Sequence, residues 1–71
     1  MTEDEVKIEY QKLFGKVKSE FGYSLTAKKT INGWLVMKWY KRNSWVDETL
    51  EKKVLFCNGM VFENNNVVGT Y

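Results

Sequence analysis

Residue types able to carry chemistry are few in this chain of 71 residues. Histidine, the commonest proton-transfer group, is absent. The single cysteine, Cys57, has no histidine to activate it and follows Val54-Leu55-Phe56. A thiol in such an apolar strand behaves as a small hydrophobe. The carboxylates gather at the start of the chain (Glu3, Asp4, Glu5, Glu9) and in a polar stretch (Asp47, Glu48, Glu51), both solvated settings. No Gly-rich phosphate loop and no metal-ligand spacing occurs. Glu63 with Asn64-Asn65-Asn66 offers oxygens to a cation, but no calcium-loop pattern surrounds them, and three asparagines read as a turn. The expectation is a protein that is not an enzyme, with no cofactor, no metal and no small-molecule substrate.

The remaining resource is surface contact, and Trp34-Leu35-Val36-Met37-Lys38-Trp39-Tyr40 carries most of it. A strand with one wet face alternates apolar and polar residues, because successive side chains point to opposite faces. Here only Lys38 is polar, so both faces want cover. Trp34, Val36 and Tyr40 share one face, taken as core; Leu35, Met37 and Trp39 share the other. Tryptophan, tyrosine, methionine and arginine are enriched at interfaces, and the span from Trp34 to Trp45 is rich in them. The candidate partner-binding residues are therefore Leu35, Met37, Trp39 and Trp45, with Lys28, Lys41 and Arg42 beside them.

Charge supports a second class of partner. The formal net charge is +2, but it is unevenly spread. Acids dominate residues 2–9 and 43–71, whereas between 10 and 42 seven lysines and Arg42 face only Glu20. A cationic middle suits an anionic partner, and Lys28, Lys29, Lys38, Lys41 and Arg42 lie close to Trp39, Tyr40 and Trp45. Sheet surfaces that bind single-stranded nucleic acid combine such aromatics with basic side chains. Against this, Arg42 is the only arginine and no RNP-type or helix-turn-helix pattern is present. Protein contact is the leading expectation and nucleic acid the alternative.

These residues need elements to position them. Thr2 and Glu5 form a capping-box pattern, and Val6, Tyr10, Leu13, Phe14, Val17 and Phe21 recur at helical spacing. The pattern predicts a helix over about 3–21, stopped by Gly22, with interior Gly15 marking close packing against a sheet. Strands follow at about 24–31, 34–42, 50–57, 60–63 and 67–71. Asn32-Gly33 and Asn58-Gly59 are hairpin turns of the I′ kind, which sets Ile31 opposite Trp34 in the core. Residues 44–53 are ambiguous. Ser44 with Asp47 would cap a helix bearing Val46, Leu50, Val54 and Cys57, but no glycine or proline separates it from Val54, so a strand is preferred. The fold class is α+β: one N-terminal helix on a four- or five-stranded antiparallel sheet, read as a single domain over 1–71.

A chain this short buries only about 60% of its unfolded surface. One cysteine allows no internal disulfide, and without histidine a zinc staple is not expected. Partner binding or homodimerisation is the stabiliser left. The lone cysteine, the acidic N-terminus and the lack of a long apolar run lead to the expectation of a cytoplasmic, reducing location with no membrane contact. A small non-catalytic module would suit an inhibitor or adaptor of a larger host protein, encoded by a virus or mobile element.

Overall fold

The N-terminal capping box forms as its residue types require. In the computed structural model, which describes residues 1–43, 45 and 47–71, α1 spans Glu3–Phe14. The Glu5 N–H donates to Thr2 Oγ1 at 3.2 Å, and the Thr2 N–H donates to the Glu5 carboxylate at 2.8 Å. Bonding to the Thr2 N–H, then to its hydroxyl, holds the Glu5 carboxyl below its ordinary pKa. The helix stops at Phe14, seven residues short of the end expected from the apolar stripe. Gly15 is the cause, with φ 98 and its N–H bonded to the Gln11 carbonyl at 2.9 Å. Gln11 also accepts the Val17 N–H on its side-chain oxygen at 3.0 Å, turning the chain away. Gly15 therefore terminates the helix, and a Cβ there would meet nothing within 4 Å. The close approach of helix and sheet is at Gly69, where a Cβ would lie 2.9 Å from Leu13 Cδ2. Val17 still packs on the core, whereas Phe21, in the short 3-10 helix Ser19–Phe21, is 62% exposed.

Five strands follow in an antiparallel meander: β1 (Tyr23–Thr30), β2 (Gly33–Tyr40), β3 (Thr49–Cys57), β4 (Met60–Glu63) and β5 (Asn66–Thr70), neighbours in that order. β3 resolves the ambiguous stretch from Thr49 onward as strand; Ser44 and Val46, which the helical alternative needed, lie outside the described residues. Two hairpins close on left-handed pairs, Asn58-Gly59 (φ 51 and 81) and Asn64-Asn65 (φ 51 and 66), the backbone a I′ turn demands. The first hairpin departs from expectation. Its loop is Ile31-Asn32, with Thr30 opposite Gly33 and Lys29 opposite Trp34. Gly33 is required in the strand because a Cβ there would run into the Phe56 carbonyl oxygen on β3. The Thr30 hydroxyl completes the turn, accepting from Gly33 N–H at 3.2 Å and donating to the Gly33 carbonyl at 2.9 Å. Ile31 is therefore a fully exposed turn residue and not core. The pairing moved by two residues, so every side chain kept its face.

α1 lies on the face carrying Val36, Val54, Phe56 and Val61, which are buried with Val6 and Tyr10 of the helix. Leu25, Ala27, Trp34 and Phe14 pack around them. Fully burying one such side chain is worth about 1.5–3 kcal/mol, so six of them make a thin core for five strands.

Candidate functional site: the uncovered sheet face

No described helix or strand lies over the opposite face, and register assembles its residues into rows. Lys28 on β1 pairs with Leu35 on β2, Leu35 with Leu55 on β3, Leu55 with Phe62 on β4, and Phe62 with Val67 on β5. The result is an apolar row across four strands ended by one lysine. The next row along carries Thr26, Met37 and Lys53, and the next Ser24, Trp39 and Leu50. A bulge in β3 between Leu50 and Lys52 brings Leu50 opposite Trp39, keeping an apolar residue on this face where strict alternation would have placed Glu51. On the other side of the row stand Cys57 and Met60, a cross-strand pair. An antiparallel sheet with one wet face carries polar groups on it; this face is polar along β1, at Lys53 on β3 and at Thr70 on β5, and apolar between them.

Trp39 is held in place. Its indole Nε1–H donates to Thr26 Oγ1 on β1 at 2.9 Å, tying the ring toward β1. The hydrogen bond fixes an aromatic group that would otherwise lose rotamer freedom on binding. Beyond the Asn64-Asn65 turn, β3 continues without β4 beside it, leaving an open groove of about 740 Å³ lined by Leu50, Lys53, Leu55, Phe62 and the two asparagines.

Of the residues expected to bind a partner, Leu35, Met37, Trp39 and Lys28 share this face. The other three do not. Lys41 and Arg42 follow the end of β2, and Trp45 is 92% exposed in the connection to β3, its N–H donating to Asn43 Oδ1 at 2.8 Å. The basic cluster is also divided. Lys38 and Lys29 lie on the helix face, their ammonium groups over the rings of Tyr23 (4.5 Å) and Trp34 (5.5 Å). Cation–π contact accounts for lysines on a covered face. Leu55, Phe62 and Val67 were not singled out from the sequence. Alternation in Val54-Leu55-Phe56-Cys57 was the available signal: if Val54 and Phe56 are core, Leu55 and Cys57 must face away.

The helix side carries one strongly perturbed polar group, Tyr10. Tyr10 Oη is buried without a hydrogen-bond partner, and burial, helped by the negative charge of Glu63, pushes its pKa up to about 12. Glu63 is itself paired with Lys52 at 3.8 Å, and Lys52 sits 4.1 Å from the Phe14 ring. The hydroxyl is closed off from solvent and opens on no cleft. Among the described residues no group of histidine, cysteine or carboxylate side chains could hold a metal ion, and no helix is long and apolar enough to cross a membrane. No known family, curated protein or solved structure matches this chain.

Proposed function

We propose that the chain is a non-catalytic protein-binding module that acts by covering a surface of a larger protein with its open sheet face, in the manner of an inhibitor or adaptor. The carrying observation is the row Leu35–Leu55–Phe62–Val67, continuous across four strands with no described element over it. The row is half-buried at Leu35, Leu55 and Phe62 and exposed at Val67, with exposed Leu50 and Met60 beside it; contiguous apolar patches open to solvent mark interaction sites, and the adjoining Trp39 is the aromatic anchor type that dominates binding energy. The free thiol of Cys57 suits a reducing, cytoplasmic setting.

Replacing Met37 and Leu35 together by alanine tests the reading. Capture of a protein partner is expected to fall by at least tenfold while the far-ultraviolet spectrum stays native. Undiminished capture by a folded variant contradicts it.

One observation favours a second reading, nucleic-acid binding. The Lys41 N–H donates to the Gly22 carbonyl at 2.8 Å, which brings the exposed Phe21 and its neighbour Lys18 to the end of β2 that leads into Lys41, Arg42 and Trp45. Exposed aromatics among cations are what stacking on single strands requires. Replacing Lys41 and Arg42 by glutamine should then flatten the salt dependence of binding to an oligonucleotide; binding insensitive to salt removes this reading.

A further inference from the structure

We infer that β1 takes up an extended, acidic segment of another protein as a sixth strand, added along the free edge of the five-stranded sheet. The inference goes beyond the open-face reading, because it uses backbone groups at the edge rather than side chains on the face.

Register shows which groups are free. The Lys41 N–H donates to the Gly22 carbonyl, and pairing then runs without a bulge from Tyr23 opposite Tyr40 to Thr30 opposite Gly33. Alternate residues of an antiparallel strand bond to the same neighbour. Ser24, Thr26, Lys28 and Thr30 therefore turn their N–H and C=O groups to β2, and Leu25, Ala27 and Lys29 turn theirs outward. The chain leaving the 3-10 helix closes this edge only at its start, where the Tyr23 N–H donates to the Lys18 carbonyl at 3.4 Å. From Leu25 to Lys29 no described backbone group answers the outward row. The other edge strand, β5, has five residues and a bulge against β4, and shortness and bulges both blunt an edge. β1 has eight residues and no bulge.

Charge identifies the occupant. The hairpin from Tyr23 to Tyr40 carries Lys28, Lys29 and Lys38 and no carboxylate. None of the three is ion-paired among the described residues. Lys28 and Lys29 are exposed and, as neighbours in a strand, stand on opposite faces. Edge lysines discourage an indiscriminate neighbour, whereas a strand with a carboxylate opposite each of them turns the same charges into attraction. A second β1 would bring only more lysine. Further along, Leu25 and Ala27 are half-buried against the core, so the incoming strand sets apolar side chains beside them and a polar one beside Thr26. Strand addition of this kind takes affinity from main-chain bonds and specificity from alternate side chains.

The test titrates the isotope-labelled full chain with the capped peptide Thr-Glu-Glu-Val-Thr-Val-Thr. Run antiparallel to β1, it sets its glutamates opposite Lys29 and Lys28 and its valines opposite Ala27 and Leu25. In the free chain, amide hydrogen exchange should be slow at Thr26 and Lys28 and fast at Leu25, Ala27 and Lys29. Saturating peptide should slow those last three by at least about tenfold. Lysine in place of both glutamates should weaken binding by on the order of tenfold, and Lys28→Glu with Lys29→Glu in the chain should reverse that preference. Ala27→Pro removes one outward donor and no bond to β2, a change an edge strand tolerates, and should abolish binding. Should that variant unfold, N-methylation of the peptide valine opposite Ala27 removes a bond of the same ladder. The inference is overturned by slow exchange at Leu25, Ala27 and Lys29 in the free chain, by no saturable shift at millimolar peptide, or by equal binding of the glutamate and lysine peptides. None of these readouts involves Leu55 or Phe62, so its failure leaves the open-face reading standing.

Discussion

Two phenylalanines one strand apart show how differently this molecule uses the two sides of its sheet. Phe56 on β3 is 1% exposed, stacked near Tyr71 at 5.1 Å between ring centroids and buried with the helix residues Val6 and Tyr10. Phe62 on β4 pairs with Leu55 and Val67 on the opposite face, where no described element covers it. The residue type is the same, and α1 is the difference. One face has its second layer within the chain, whereas the other presents similar chemistry without one. A sheet domain needs a layer on each apolar face, so the uncovered face is where contact with another molecule stabilises most.

The largest expected effect separates the two directly. Phe56→Ala should cost about 3–5 kcal/mol, the loss of a large core side chain plus its cavity, enough to unfold a domain of this size. Phe62→Ala should cost about 1 kcal/mol or less in a dilute, unpartnered chain. Urea unfolding of both variants measures the contrast; equal losses would mean that Phe62 is also core. The two glycines differ in the same sense. Gly33→Ala drives a Cβ into the β3 backbone and should cost at least about 2 kcal/mol, whereas Gly15→Ala meets open space and carries only the strain of its positive φ, about 1–2 kcal/mol.

Much of this was legible in the residues, and what was not has identifiable causes. The capping box at Thr2 and the turns at Asn58-Gly59 and Asn64-Asn65 are local, each determined by residues within a few positions, and local rules suffice for them. Face membership in β2 was legible too, since parity alone puts Leu35, Met37 and Trp39 together and Lys38 with Trp34. Grouping Lys38 with Lys28 as one basic surface ignored that parity. The end of α1 was hidden because Val17 and Phe21 prolong the helical spacing although the chain has already left the helix at Gly15. The first hairpin was misplaced by two residues because Gly33 answers to β3, a strand sixteen residues or more away, and not to its own turn. The row itself needs the pairing of four strands, which no stretch of sequence contains.

Alkali sharpens the comparison from the helix side. With its pKa raised to about 12 from an unfolded value near 10, Tyr10 holds its proton in the folded state where the unfolded chain releases it. Its contribution to stability is therefore complete below about pH 10 and is lost as pH rises toward 12. Denaturant melts stepped through that range should show a fall in the native protein that is absent in Tyr10→Phe. The smallest effect belongs to the helix start. Thr2→Ala should cost about 1 kcal/mol by removing the cap, and should leave contacts of the open face unchanged.

One measurement bears most directly on the open face as a docking surface: affinity capture from nuclease-treated lysate of the source cells by the native chain and by folded Phe62→Lys side by side. Expected is a defined protein, the chain's own copies included, held by the native form and lost from the variant. The same proteins on both, or nothing once nucleic acid is digested from a lysate that gave a partner before, would contradict it.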